Sequence, residues 1–258
     1  MSETVLYEVN NDTAVITLNR PKQLNSLTME LVESFIENLK KAALDDNVHV
    51  VIITGAGRAF CAGGDLEFMN TLSTIKERRS FIEKVGDIVK NIYNMPKPVI
   101  AMVNGVAAGA GFNLALCCDM VFSANTAKFV QSFAKVGLIP DCGGLYFLAK
   151  TVGLHKAKEI MFTAEPLSAQ ECYDFKLVNH VINDDELAEQ VYAFADNLAK
   201  SAPLAMAMTK KALNNVKASI DDVLDFEAYV QSMLLGTGDY AEGVSAFKEK
   251  RAPKFLGH

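Results

Sequence analysis

Two apolar runs rich in β-branched residues, 50–54 and 98–103, are each followed by a glycine-rich stretch. The first glycine-rich stretch spans 58–65 and the second spans 104–113. A continuous apolar run is typical of a parallel strand that is covered on both faces. Strand, glycine turn and helix start, repeated in this order, predict an α/β core.

The two glycine turns also predict a chemical role for the backbone. A turn that opens a helix leaves N–H groups free to bind a negatively charged oxygen, and Gly64 and Ala110 are the natural donors. Ala110 lies where a helix to Cys117 is expected to begin, so the helix dipole adds to its N–H. One such donor stabilises a developing oxyanion by about 3 kcal/mol. The alternative is that these glycines only permit tight turns.

The remaining pattern indicates a helical second part of the chain. A hairpin is expected at 5–9 and 14–18, and Thr28 is expected to cap a helix. Further elements are expected as a helix at 74–93 and short strands at 120–123, 128–130 and 177–182. We assign a core to 1–200 and a C-terminal helical region to 201–258, which covers its own core or packs on a neighbouring subunit.

The composition limits which binding partners and which cellular compartment the protein is expected to have. The net charge of −6 and the lack of a basic block argue against nucleic acid as a partner. Polar residues and glycine interrupt every apolar run before it reaches the length of a membrane span. Residues 1–4 lack the basic start of a secretory signal. The five cysteines are odd in number and show no CxxC spacing, so we expect free thiols, a cytoplasmic protein and no metal site.

A single carboxylate, Asp141, follows both glycine turns in the stretch 137–144. One carboxylate can remove a proton from carbon and return it, which makes Asp141 the candidate acid/base. The alternative is that Asp141 only caps the helix expected to start near Gly143, because capping is a common role of aspartate. Asp65, which ends the first turn, is expected to be a helix cap.

Several stretches taken together resemble the crotonase family, the enoyl-CoA hydratase/isomerase superfamily. They are 18–27, 59–66, 104–119, 139–144 and the tail 246–251. The resemblance covers essentially the whole chain. It implies a core built as a spiral of ββα units and a C-terminal helical trimerisation region. It also implies an acyl-CoA thioester as ligand, and a homotrimer or a dimer of trimers.

The resemblance assigns roles residue by residue. It places the oxyanion hole on the N–H groups of Gly64 and Ala110. The residues that it implies in binding the CoA part of the substrate are Lys22, Leu24, Ala62, Gly64 and, on a neighbouring subunit, Phe247 and Lys250. No metal or redox cofactor is implied, since coenzyme A belongs to the substrate.

The chain departs from the hydratase pattern at two positions. Hydratases of the family hold a water between two glutamates, which align with Asn113 and Phe133 of this chain. Asparagine is no general base at neutral pH, and hydration needs both a base for water and a proton source for carbon. We therefore expect Asn113 and Phe133 to shape the acyl pocket. Phe133 would exclude water and make Asp141 more basic by desolvation.

The site pattern is most similar to that of 1,2-epoxyphenylacetyl-CoA isomerase-type members, which carry an aspartate at the Asp141 position and asparagine at the Asn113 position. The leading interpretation is an acyl-CoA isomerase that shifts a double bond, or isomerises a related acyl-CoA, through a thioester enolate. Three alternatives stay open. They are an enoyl-CoA hydratase, a non-catalytic acyl-CoA-binding oligomer, and an enzyme in which Asp141 is a nucleophile, as in 4-chlorobenzoyl-CoA dehalogenase. The pathway, fatty-acid oxidation or degradation of an aromatic acid, stays open too.

Overall fold

The structure is a computed structural model that describes residues 3–215 and 219–258, so part of the segment judged for a secretory signal lies outside it. The strands are β1 (Val5–Asn10), β2 (Thr13–Leu18), β3 (Val50–Gly55), β4 (Ala59–Cys61), β5 (Val99–Val103), β6 (Val106–Ala108), β7 (Met120–Ala124), β8 (Lys128–Val130), β9 (Leu167–Ser168) and β10 (His180–Ile182). The helices are α1 (Met29–Leu44), α2 (Leu66–Thr71), α3 (Ile75–Tyr93), α4 (Ala110–Cys117), α5 (Gly144–Thr163), α6 (Ala169–Asp174), α7 (Leu187–Leu198), α8 (Pro203–Asn215), α9 (Ile220–Leu234) and α10 (Gly238–Glu249).

The strands form two sheets, and the chain alternates between them. The larger sheet has the order β1-β2-β3-β5-β7-β10, and the smaller one has the order β4-β6-β8-β9. In three consecutive pairs the first strand lies in the larger sheet and the second in the smaller one, and a helix follows each pair. The pairs are β3 and β4, β5 and β6, and β7 and β8. The fold is therefore of the α/β class and is built as a spiral of ββα units, as the resemblance implied.

Local signals account for most of the elements. Thr28 caps α1 by accepting a hydrogen bond from the Leu31 N–H, and α1 buries the apolar face that its spacing predicted. Thr74 and Glu77 form a capping box at the start of α3. The β1–β2 hairpin and the buried strands β3 and β5 also lie where they were predicted, within a residue or two.

The prediction was wrong for the strand at 177–182, which is confined to β10. The N–H groups of Leu177 and Val178 both donate to the Cys172 carbonyl, so this segment closes α6 instead of joining the sheet. Strands β4 and β6 lie inside the stretches predicted as glycine turns, and β9 was not predicted. These strands have two or three residues and pair with partners distant in sequence, so no local alternation marks them.

Helix α8 bonds the C-terminal region to the core. Lys210 Nζ forms an ion pair with Asp119 Oδ2 at 2.7 Å and also donates to two backbone carbonyls of the core. Asn214 and Tyr93 exchange hydrogen bonds. Beyond α8, several large apolar side chains are exposed, among them Tyr229, Met233, Leu235, Tyr240 and Phe247. The division at residue 200 and the role of this region in trimerisation stay predictions.

Within 3–215 and 219–258, no helix combines the length and the apolar character that crossing a bilayer requires.

Candidate active site

The first glycine turn lies beside the loop that contains Lys22 and Leu24. The Ala62 N–H donates to the Leu24 carbonyl at 2.9 Å, and the Leu27 N–H donates to the Gly63 carbonyl at 2.8 Å. Lys22 is exposed, whereas Leu24 is half-buried. The backbone pairing thus brings together the residues that the resemblance implied in CoA binding on this chain.

Asp65 ends the first turn, and both oxygens of its carboxylate accept hydrogen bonds. Its Oδ1 accepts from the Phe68 N–H at 3.1 Å and caps α2, as predicted, while Oδ2 accepts from Arg20 at 2.9 Å and from Ser26 at 3.0 Å. Burial raises the pKa of Asp65, yet the hydrogen bonds from Phe68, Arg20 and Ser26 outweigh it, so the pKa lies below its ordinary value. Asp65 therefore stabilises the turn and is not available as a base.

The two glycine turns are in close contact. A Cβ on Gly63, where φ is 93°, would lie 2.8 Å from the Ala108 carbonyl oxygen and 3.3 Å from the Ala110 nitrogen. A Cβ on Gly111 would lie 2.0 Å from the Cys61 carbonyl oxygen. Only glycine permits this approach. It brings the Gly63–Gly64 peptide next to the first residue of α4.

Two N–H groups at this contact are free of protein acceptors. In the described part of the chain, neither the Gly64 N–H nor the Ala110 N–H donates to a backbone or side-chain oxygen. The Ala110 N–H belongs to the first turn of α4, where backbone donors have no partner within the helix and the helix dipole favours a negative charge. The contact therefore presents a pair of donors suited to an anionic oxygen.

Asp141 lies in a tight turn before α5. Cys142 and Gly143 have φ values of 50° and 75°, so two successive residues are left-handed. For a non-glycine residue such as Cys142 this conformation costs on the order of 1 kcal/mol or more. The Asp141 carbonyl accepts from the Gly144 N–H at 2.9 Å and from Asn113 Nδ2 at 2.9 Å. The N-cap of α5 is Gly143, and in the described part of the chain no N–H of the first turn of α5 donates to the Asp141 side chain, so the structure gives no support to Asp141 as a helix cap.

The Asp141 carboxyl group has an unpaired oxygen in a buried place. Its Oδ1 is inaccessible to solvent and has no hydrogen-bond partner among the described residues. Burial raises the pKa of Asp141 to about 6, and a hydrogen bond from its own backbone N–H only partly counters this. A carboxylate of this kind is a stronger base than an exposed one and still ionises at neutral pH.

Asn113 lies under the Asp141 turn and is fully buried. Its Nδ2 donates to the Asp141 carbonyl, and its Oδ1 accepts from Gln131 Nε2 at 2.6 Å. A Cβ on Gly144 would lie 2.2 Å from Asn113 Nδ2, so the side chain is packed directly against the turn. The amide that was expected to shape the acyl pocket is thus engaged with the protein, and it supports the backbone of the candidate acid/base.

Two side chains place apolar surface against the glycine turns. The ring of Phe133 is buried and lies 3.7 Å from the position of a Cβ on Gly109, beside the start of α4. Met69, from α2, places its Sδ 2.7 Å from the position of a Cβ on Gly64. Phe133 was predicted from the sequence, whereas Met69 was not, because the segment after the first turn could not be placed.

Gln131 was also missed. It has no exposed surface and lies between β8 and Phe133. The signal in the sequence was a long polar amide directly after an apolar strand, two residues before a position already singled out.

Phe247 lies on α10, and Lys250 follows directly after it. Phe247 is 86% exposed and lines a cavity of about 400 Å³ between α8, α9 and α10, and Lys250 ends α10. The expectation that they contact CoA bound to a neighbouring subunit stays a prediction.

The thiols near the site are not nucleophiles. Cys61 and Cys142 are free and buried. Burial raises the pKa of Cys61 to about 12, and burial followed by the Asp141 charge raises the pKa of Cys142 above its ordinary value. A thiol of this kind stays protonated at neutral pH. Asp141 therefore stays the candidate reactive group of its turn.

Comparison with known proteins identifies the family. The family profile described as Enoyl-CoA hydratase/isomerase matches residues 8–258. The 1,2-epoxyphenylacetyl-CoA isomerase of Escherichia coli is 39% identical over 261 residues, which cover 100% of both chains. The crotonyl-CoA hydratase of Syntrophomonas wolfei is 36% identical over 256 residues, which cover 98% of both chains. The crystal structure of an enoyl-CoA hydratase from Bacillus anthracis superposes with a TM-score of 0.95 at 32% identity, covering 99% of this chain and 100% of that one.

The fold and the site define an enzyme with the crotonase architecture. The chain belongs to the enoyl-CoA hydratase/isomerase family. Relatives named isomerase and relatives named hydratase both match it, so membership defines the family and leaves the reaction to be argued from the site.

Proposed function

We propose that the protein is an acyl-CoA isomerase that shifts a double bond, or isomerises a related acyl-CoA, through a thioester enolate. The observation that carries the proposal is the state of Asp141. It combines a buried oxygen that has no partner within 3–215 and 219–258 with a pKa raised to about 6. Asn113 and Phe133, at the positions of the two hydratase glutamates, supply no second acid.

The proposed reaction begins with the thioester carbonyl oxygen on the N–H groups of Gly64 and Ala110. Asp141 removes a proton from the acyl chain, and the electron pair of the broken C–H bond moves into the conjugated thioester as a dienolate. The two N–H donors stabilise the oxygen that gains charge. Asp141 then returns the proton to a different carbon, and the double bond moves without a change in mass.

The surroundings of Asp141 suit proton transfer between carbons. A 3-enoyl thioester has weakly acidic protons, so the base gains from a pKa near the working pH. Phe133 and Met69 present apolar surface beside the donors and restrict water. Restricting water strengthens the electrostatic effect of those donors and limits competing hydration.

Hydration of 2-enoyl-CoA is the second candidate, favoured by the match to the crotonyl-CoA hydratase of Syntrophomonas wolfei. This reaction would require Asp141 to activate water and to supply the proton for the α-carbon, because Asn113 and Phe133 carry no acid. Asn113 is also fully buried and bonded to the protein at both ends of its amide, which disfavours it as a group that holds a water.

The test compares wild type, Asp141→Asn and the control Asp185→Asn, which changes an exposed aspartate before α7. Each is assayed with trans-3-hexenoyl-CoA and crotonyl-CoA, and products are identified by mass. We expect conversion of the 3-enoyl ester without mass gain, lowered about a thousandfold by Asp141→Asn and unchanged in the control.

The other outcomes point to the other functions. Addition of about 18 Da to crotonyl-CoA by the wild type, the mass of one water, would make the protein a hydratase with Asp141 as its acid. Tight acyl-CoA binding with no turnover would favour the binding oligomer. An acylated Asp141 detected by mass spectrometry would favour the nucleophilic mechanism.

A further inference from the structure

A line of amides connects a buried glutamine to the candidate base. Gln131 Nε2 donates to Asn113 Oδ1 at 2.6 Å, and Asn113 Nδ2 donates to the Asp141 carbonyl at 2.9 Å. Gln131 and Asn113 are both 0% exposed. The line joins β8 and α4 to the turn before α5, three parts of the chain that are distant in sequence.

The donors and acceptors along this line have only one consistent order. The Asp141 carbonyl can only accept, so the NH₂ of Asn113 must face it. The oxygen of Asn113 then faces Gln131, which must present its own NH₂. If the Asn113 amide were turned round, its oxygen would oppose the Asp141 carbonyl. The Asp141 carbonyl therefore fixes the orientation of the Asn113 amide, and the Gln131 NH₂ holds Asn113 in that orientation by pairing its oxygen.

Apolar packing does not account for a glutamine at position 131. Its Oε1 is buried and has no hydrogen-bond partner among the described residues. Leaving a buried carbonyl unpaired lowers stability, and an apolar side chain of the same size would avoid this loss. A glutamine at this position is therefore unfavourable for packing and favourable only for the hydrogen bond that its NH₂ donates.

The turn that receives the support is strained. Cys142 adopts a left-handed conformation with φ of 50°, and the Asp141 carbonyl is held by the Gly144 N–H and by Asn113. Strained backbone persists where surrounding contacts over-determine it. If Asn113 turns away, one of the two bonds is lost and the turn can relax. The Asp141 carboxylate then moves relative to the N–H groups of Gly64 and Ala110.

We infer that Gln131 is a positioning residue for Asp141 and that it acts through Asn113. The inference rests on the proposed function of Asp141 as the acid/base. In the described part of the chain, Gln131 forms no hydrogen bond with Gly64, Ala110 or the Asp141 carboxylate, so its effect is on geometry.

The experiment uses Gln131→Leu and Gln131→Met, which remove the donor at similar size, in the full-length protein with trans-3-hexenoyl-CoA. A misplacement of a base by a fraction of an ångström is expected to lower kcat by roughly ten- to a hundredfold. We expect KM and the binding of hexanoyl-CoA, a saturated probe, to stay within about twofold. The melting temperature should change little, because removal of the unpaired Oε1 offsets the loss of the donor to the buried Asn113 Oδ1.

The pH profile gives a second measure of position. In the wild type the ascending limb of kcat should reflect the raised pKa of Asp141. A carboxylate displaced toward solvent loses part of its desolvation, so the limb should move to lower pH in the Gln131 variants.

Ser123→Ala is the control. It removes another buried side-chain hydrogen bond, in β7, and should leave kcat and the ascending limb of the pH profile unchanged.

A double-mutant cycle tests whether the effect passes through Asn113. Asn113→Ala removes the bond to Asp141 directly, so adding Gln131→Leu should lower kcat no further than about twofold. Two effects that simply multiply would overturn the inference. So would Gln131→Leu and Gln131→Met enzymes that both retain wild-type kcat, or a fall in kcat matched by an equal loss of hexanoyl-CoA binding.

Asp141→Asn separates the two proposals. If Asp141→Asn retains wild-type turnover, the proposed function fails and the inference fails with it. If Asp141→Asn is inactive while the Gln131 variants equal the wild type, only the inference is overturned.

Discussion

Two aspartates follow turns in this molecule, and their surroundings are opposite. Asp65 is paired with Arg20, Ser26 and the start of α2, and its pKa lies below the ordinary value. Asp141 has a buried oxygen that no group in the described part of the chain pairs, and burial raises its pKa to about 6. The same residue type therefore stabilises one turn and has a raised pKa at the other. The difference lies in how many donors reach each carboxylate.

The largest expected effect concerns activity at Asp141. Asp141→Asn should lower isomerase kcat about a thousandfold, because the amide cannot accept a proton from carbon. Asp65→Asn should retain most of the activity, since it keeps the size and the capping oxygen. Steady-state kinetics with trans-3-hexenoyl-CoA measures both. Equal losses in the two variants would remove the functional contrast between the aspartates.

The next effect concerns stability at Asp65. Asp65→Ala should lower the free energy of unfolding by about 3 kcal/mol, because it removes the α2 cap and leaves the half-buried Arg20 without its partner. Urea unfolding at pH 7 measures the loss. The lowered pKa of Asp65 means that its contribution is present above its unfolded pKa near 4 and is lost as pH falls below that. The penalty of Asp65→Ala should therefore shrink below about pH 4.

The reverse pH dependence is expected at Asp141. Its folded pKa of about 6 lies above the unfolded value near 4, so the ionised form is destabilising in the folded protein. Stability from this group is present below about pH 4 and is lost as pH rises through about 6. Asp141→Asn should raise the free energy of unfolding by roughly 2 kcal/mol at pH 8, allowing for partial exposure. No gain at pH 8 relative to pH 4 would contradict the raised pKa.

The smallest expected effect comes from adding a second acid. Phe133→Glu places a carboxyl group beside the start of α4 and admits water to the apolar side of the site. We expect isomerase activity to fall about tenfold and hydration of crotonyl-CoA to rise above the wild-type level, because two carboxyl groups suit water addition. Product mass is the readout. Phe133→Leu, which changes size without adding an acid, is the control and should show no hydration.

Much of the fold could be read from local pattern. The caps at Thr28 and Thr74, the hairpin and the buried strands follow from side-chain periodicity and turn chemistry, which act within a few residues. The segment at 177–182 shows where local pattern fails. Its apolar residues suit a strand, yet the N–H groups of Leu177 and Val178 donate to the Cys172 carbonyl at the end of α6.

The candidate site was only partly predictable. Gly64, Ala110 and Asp141 were found because glycine turns and a carboxylate leave a mark in the sequence. Met69 and Gln131 were not, because their role depends on which residues fold against them. Asn113 was found, but its contacts with Gln131 and Asp141 span 18 and 28 residues and have no local signature.

The sequence by itself determined the alternation of strands, glycine turns and helices, and it named the one carboxylate on which the proposed chemistry depends. Local sterics and hydrophobic periodicity are sufficient for that. Only the tertiary structure decided that Asp65 is paired and Asp141 is not, because pairing and burial depend on groups brought together from distant parts of the chain. Since those two conditions set the pKa of a carboxylate, the contrast between the two aspartates is a property of the folded molecule.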